Sequence, residues 1–200
     1  MENSLLALCA EDQGYLRGQT FENITFAGED LGGVEFCELT FSRCRFSGCD
    51  FSRASFDRVR FLGCDLAGVP FPDAFLKNSL VENTKADGIR LNGAVLRDTA
   101  LRQSSLAYAN CADTRWENCT LEDCSFQEAF WTESRLKKIS LRGCDLRKVD
   151  FFKTSLKGID LSDCAVAGIS VSDTLWELKG ALVGAEQAMD LIGLLGVRLK

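Results

Sequence analysis

The chain has 200 residues, 46% of them hydrophobic, with a formal net charge of −6 and a pI near 4.8. That length suits one domain with a sizeable core, and the acidic balance argues against direct binding to nucleic acid or an anionic membrane, whose phosphates would repel it. The lack of histidine excludes a His-based catalytic triad or a His metal site, and no apolar run approaches the roughly 20 residues of a bilayer span.

Residues 1–20 are the least regular and read as an N-terminal cap, with Asn3 or Ser4 capping a short helix through Cys9. The apolar run from Leu5 to Ala10 is preceded by Glu2 rather than by a positive segment, so it does not read as an export signal and a cytoplasmic, reducing compartment is expected.

From Phe21 to Trp176 a large apolar residue recurs every fifth position without a break, which gives (176 − 21)/5 + 1 = 32 repeats. Eleven of these residues are Phe, thirteen Leu, three Val and three Trp; only Ala86 and Cys111 are small. Neither a helix at about 100° per residue nor a flat strand at about 180° keeps such a series on one face, so the repeat is an architecture in its own right.

A second inward position, two residues before each large one, holds small or β-branched residues such as Cys44, Ala54, Val59 and Cys64. Two inward residues flanking one outward residue make a minimal strand, and the remaining two form a corner. Ten of the 17 glycines fall at the second corner residue, where a positive φ is favoured.

Residues one coil apart should stack and resemble each other. At a period of 20 the small inward position reads Cys44, Cys64, Thr84, Ser104, Cys124, Cys144, Cys164, whereas a period of 15 mixes Cys44, Val59, Ala74 and Ile89. Four sides are therefore expected, with about eight coils over 21–176 and a length of about 38 Å. Val81, Thr84 and Ala86 leave the axis underfilled, so a bend or a cavity is expected there.

Seven cysteines occupy the small inward position and are expected to be buried, reduced and slow to react. Cys37, outward in the repeat, and Cys9, before it, should react first. No cofactor or metal is implied, and no catalytic constellation appears, so the chain reads as a non-enzyme.

In the segment 177–200 a helix is expected from Ala185 to about Leu195, stopped by Gly196. It caps the last coil, and its excess apolar surface points to a symmetric dimer through Trp176, Leu178, Ala188, Met189, Leu191, Ile192, Leu194 and Leu195.

Sorted by side, the charges are uneven. The side of Leu31, Phe51 and Phe71 carries Asp30, Asp50, Asp73, Asp113, Glu133, Asp150 and Asp173 against the three bases Arg53, Arg90 and Lys153. The side of Phe36 to Trp176 carries eight bases and six acids. Outward Phe75, Tyr108, Phe130 and Phe152 add the marks of a contact surface, and an electrostatically chosen partner should be basic.

The units Cys49-Asp50-Phe51-Ser52-Arg53 and Cys144-Asp145-Leu146-Arg147-Lys148 resemble the A-(D/N)-L-x-x signature of the pentapeptide-repeat family, over about 156 residues. The resemblance implies an all-β, right-handed quadrilateral β-helix. The tail from Leu178-Lys179-Gly180 to Leu194-Leu195-Gly196-Val197 is similar to that of the branch with the Qnr-type and mycobacterial fluoroquinolone-resistance proteins.

That second resemblance implies a head-to-head homodimer whose acidic rod mimics DNA, binds the DNA saddle of gyrase or topoisomerase IV, and protects or inhibits the enzyme. The seven acids named above would stand in for phosphates. The unbroken phase leaves no room for the loops of the plasmid-borne resistance proteins, so the chain resembles the loopless type. The alternative function is a structural solenoid with an unrelated protein partner.

Overall fold

A computed structural model describes residues 4–11 and 14–197. Its backbone obeys the five-residue rule at every corner from Gly18 to Gly158: (158 − 18)/5 + 1 = 29 successive residues have a positive φ. The ten corner glycines adopt this conformation freely, but so do Arg53, Glu133 and Tyr108, at φ 60°, 56° and 60°. An L-residue in the left-handed region costs roughly 1–2 kcal/mol. The corner is therefore imposed by the stacked coils and not by glycine alone.

Between corners lie sixteen three-residue strands, all paired in parallel. Each residue pairs with the one twenty positions on, as Phe36 does with Phe56 and Phe41 with Phe61, so one coil is four sides of five residues. One ladder stacks seven strands from Tyr15–Arg17 to Arg135–Lys137, and a second stacks seven from Thr20–Glu22 to Ser140–Arg142. The first strand thus begins before residue 21.

Seven strands make 7 − 1 = 6 steps, so the strand-bearing solenoid has about six turns instead of the eight expected. The segment that should stack on 155–157 is a 3-10 turn, Trp176–Leu178, which cannot supply a ladder. The last coils continue through single bridges, Asp145 with Ala165, Asp150 with Ser170 and Asp160 with Leu182.

The other two sides are built differently. After one short pairing of Thr25–Ala27 with Arg45–Ser47, their coils touch through single bridged residues, and a hydrogen-bonded turn closes the corner. The Ala54 N–H donates to the Phe51 carbonyl at 3.0 Å and the Ala94 N–H to that of Leu91 at 2.8 Å. With a positive φ at the third residue, these are type II turns.

Inside, aromatic rings stack along the axis and meet edge-on across it. Phe36 and Phe56 are 5.0 Å apart and 18° from parallel, whereas Phe46 meets Phe51 at 5.5 Å and 66°. The deficit at Cys111 is filled by Trp116 and Trp131, whose indoles stack at 5.2 Å. The deficit at Val81 and Ala86 is not filled, and a cavity of about 30 Å³ remains among Phe61, Leu76, Val81, Ala86, Leu96 and Leu101. That is the cavity the sequence led us to expect.

Cysteine, serine and threonine share the small inward position because all three can donate to the carbonyl 23 residues earlier: Cys64 to Phe41 at 3.3 Å, Thr84 to Phe61 at 3.3 Å, Cys144 to Leu121 at 3.4 Å. All ten cysteines are free and buried. This corrects the expectation for Cys37 and Cys9. Cys37 is covered by Tyr15 and by Arg58, whose Nη2 donates to its sulfur at 3.5 Å, and Cys9 lies on the core side of the first helix.

That helix, α1 (Leu5–Glu11), closes the N-terminal end with Leu5 and Cys9 in the core. Ser4 is its cap, accepting the Ala7 N–H at 3.2 Å, while Glu29 reaches up to accept the Leu6 N–H at 2.7 Å. Asn3, the other candidate cap, lies outside the described residues. At the far end α2 (Ala185–Leu191) tightens into a 3-10 turn, Ile192–Leu195, which stops at Gly196 with φ 73°. Among the described residues no helix is long and apolar enough to cross a membrane.

Candidate functional site

The acidic side is one of the two turn-bearing sides, and its seven carboxylates fall in two columns. Asp30, Asp50 and Asp150 lie in the column of bridged residues, where Asp30 bridges to Asp50 and a second run of bridges joins Pro70, Arg90, Asn110, Phe130, Asp150 and Ser170. Asp73, Asp113 and Glu133 occupy left-handed corners at φ 56°, 54° and 56°, and Asp173 follows, exposed, in the same column. Arg90 and Gly93 divide the acids into an N-terminal group of three and a C-terminal group of four.

The two columns hold their charge differently. The bridged carboxylates turn back on the chain: Asp30 accepts the Gly32 N–H at 3.1 Å, Asp50 that of Ser52 at 2.7 Å, and Asp150 that of Phe152 at 2.9 Å. The corner residues are exposed, and the Asp73 carboxylate lies over Gly93 of the next coil, in the space a Cβ there would fill. Among the described residues Glu133 alone of the seven has a cation partner, Lys153 at 2.9 Å.

Eleven ion pairs join described residues, and ten of them leave these seven acids untouched. Most link successive coils on other sides, as in Arg97 with Glu117 and Arg102 with Glu122. Asp30, Asp50, Asp73, Asp113, Asp150 and Asp173 are thus without an ion-pair partner among the described residues.

Three of the four outward aromatics are exposed: Tyr108 at 58%, Phe130 at 51% and Phe152 at 42%. Phe75 is instead half-buried, because it sits inside a full strand, Phe75–Lys77, between Ser55 and Val95 of the neighbouring coils.

The C-terminal end carries the second feature. Leu178, Ala188, Leu191, Ile192, Leu194 and Leu195 line one groove of about 380 Å³ together with Leu175 and Val183. Trp176 and Met189, also expected at a dimer interface, lie outside that groove but are exposed beside it, as is Leu182.

Two polar residues with no mark in the sequence pattern hold this end in place. Glu177 is fully buried: its carboxylate accepts the N–H groups of Lys153 at 3.0 Å and Ser172 at 3.1 Å and the Ser172 hydroxyl at 2.8 Å. Burial by itself raises its pKa, but these hydrogen bonds outweigh that and hold the carboxyl below its ordinary value. Gln187 is buried and donates to the Cys164 carbonyl at 3.0 Å, pinning α2 to the last coil. A glutamate in a 3-10 turn carries no periodic signal, and Gln187 is a polar residue inside the helix, so neither position is marked by hydrophobic periodicity.

Family models agree with this architecture. The model for a pentapeptide repeat region matches residues 54–131, and the model for pentapeptide repeats in eight copies matches residues 16–53 and 132–164. Among solved structures, a trypsin-treated form of QnrB1, a plasmid-mediated fluoroquinolone resistance protein, is 22% identical, with a TM-score of 0.55 over 93% of this chain and 95% of its own. Full-length QnrB1 is also 22% identical, with a TM-score of 0.55 over 89% and 90%. Likeness at that identity carries the fold. No curated protein matches the sequence.

Proposed function

The chain belongs to the pentapeptide-repeat family, and on that premise we propose that it is a non-enzymatic, DNA-mimicking partner of a type II topoisomerase, either DNA gyrase or topoisomerase IV. The observation that carries this reading is the side with seven acids against three bases, six of the seven acids having no ion-pair partner among the described residues. A basic groove built to hold duplex DNA attracts such a face by the same electrostatics.

Coils spaced about 4.8 Å apart place these carboxylates along the rod more sparsely than phosphates along DNA, which carries one charge per about 1.7 Å. The mimic therefore competes for the enzyme without reproducing the full grip of DNA. A second copy joined through the C-terminal groove would double the length of the acidic face, and the groove's exposed Leu195 and neighbouring Met189 support that arrangement. The likeness of fold to a fluoroquinolone resistance protein supports protection of the enzyme from quinolones as the outcome. A cytoplasmic location follows from such a partner.

The test is a gyrase supercoiling assay with and without a quinolone. The protein should change the amount of supercoiled product in at least one arm. The triple variant Asp73→Lys, Asp113→Lys, Asp173→Lys adds 3 × 2 = 6 charges, takes the formal net charge from −6 to zero, and should abolish the effect. No effect of the wild-type protein in either arm would return the reading to a structural solenoid with another partner.

A further inference from the structure

Away from α1 and the C-terminal segment, the large hydrophobic residues that stand exposed among the described residues are Tyr108, Phe130 and Phe152. They are not scattered. Each follows the last by 22 residues, one coil of twenty plus two positions. Phe130 bridges to Asn110, two residues past Tyr108, and Asp150, which bridges to Phe130, lies two residues before Phe152. At about 4.8 Å per coil and about 3.3 Å per residue, successive members are about 8 Å apart. They form a diagonal that starts at the corner where residues 105–108 of the neighbouring side meet the acidic side and runs across the acidic side to Phe152.

We propose that this diagonal is the adhesive centre of the partner-binding face, and that it receives arginine-bearing, basic protein surface by stacking guanidinium groups over the rings. The inference rests on the reading of that side as the partner-binding face and adds to it where the binding energy is concentrated.

Three observations support it. The rings lie among acids: Asp113 and Asp150 lack an ion-pair partner among the described residues, and Glu133 stands on the coil of Phe130. The face already shows how it takes a cation, since the chain's own Lys153 places its Nζ 5.3 Å from the centre of the Phe152 ring. Tyr108, moreover, occupies a left-handed corner at φ 60° where ten other corners have glycine, so the fold gains nothing from a bulky side chain there.

Aromatic rings set in a charged rim are the residues that dominate binding energy, whereas the surrounding charges set encounter rate and salt response. The acids and the aromatics should therefore separate in a binding measurement. The test measures binding of the full-length protein to intact gyrase at low and high salt. The variants are Tyr108→Gly, Phe130→Ser and Phe152→Ser, singly and together, with Phe130→Trp as the ring-retaining control and thermal melts of each as a check on folding.

The triple variant should bind roughly 30-fold or more weaker at both salt concentrations with an unchanged salt slope, Phe130→Trp should bind as the wild type does, and Tyr108→Gly should melt no lower than the wild type. Wild-type binding retained within twofold by the folded triple variant overturns the proposal and leaves the acidic-face reading standing. Failure of the wild type itself to bind gyrase overturns both.

Discussion

Glu177 offers the sharpest test of how the rod ends. Its buried carboxylate collects two backbone N–H groups and one hydroxyl, from Lys153 and Ser172. Removing it by Glu177→Ala leaves two amides without their acceptor at about 1–3 kcal/mol each, so a loss of about 3 kcal/mol at the C-terminal end is expected. Glu177→Gln keeps the shape and one acceptor oxygen but loses the charge assistance, and should cost about 1–2 kcal/mol. Because each coil touches only its neighbours, the loss falls first on the last coils and on the groove that α2 helps form.

The pH response has a definite sign. The carboxyl's folded pKa lies below its ordinary value, so its stabilising contribution is present above the unfolded-state pKa and disappears as the pH falls through the folded one. Acidification should therefore weaken the wild type relative to Glu177→Gln, and the two should converge at low pH. The assay is urea unfolding followed by tryptophan fluorescence, to which half-exposed Trp176 reports locally, with limited proteolysis of the C-terminal segment. Wild-type unfolding and cleavage in Glu177→Ala at neutral pH would refute the role given to this carboxylate.

Other consequences are open to direct measurement. Val81→Ile adds one methylene against the cavity of about 30 Å³ and should raise stability by about 1 kcal/mol in a denaturant titration, whereas a lower midpoint would mean that the site has no spare room. The wild type should sediment as a dimer, and Leu195→Asp, at a residue 66% exposed on the groove, should leave the fold intact and give a monomeric mass; a monomeric wild type would refute the interface. All ten thiols should label slowly with a bulky reagent in the native protein and completely once it is unfolded. Burial pushes Cys111 and Cys124 up to about 12, and burial together with the nearby Glu29 charge pushes Cys9 up to about 11, so rapid native labelling of any of these would contradict the burial described.

Much of the rod was legible because its information is periodic. The series from Phe21 to Trp176, the twenty-residue resemblance of Cys44, Cys64 and Thr84, and the corner glycines each repeat one physical constraint, so errors at single positions cancel. Even the defect at Val81 and Ala86 was visible as a break in a regular series.

What stayed hidden depends on neighbours twenty residues away acting through particular side chains. Cys37 reads as outward from its phase, but Tyr15 and Arg58 close over it. Phe75 reads as exposed, yet a full strand on either side shelters it, while Phe130 on a turn-bearing side stays open. The difference between strand-bearing and turn-bearing sides has no counterpart in the five-residue motif, since both sides draw on the same residue types. Nothing in the spacing of the acids tells that Asp30, Asp50 and Asp150 fold back on the chain as acceptors of the N–H two residues on.

The 29 unbroken left-handed corners carry a consequence for how such a protein changes over time. Since each coil closes on itself after twenty residues and presents the same edge that it received, a deletion or duplication of one whole coil leaves every junction chemically familiar. Reach along a partner's groove can then be adjusted in steps of about 4.8 Å, like the marks of a ruler, without redesign of either end cap. An excision of some multiple of five residues that is not a multiple of twenty would rotate all later sides by a fraction of a turn and carry the acids and aromatics beyond the cut away from the face they share with those before it.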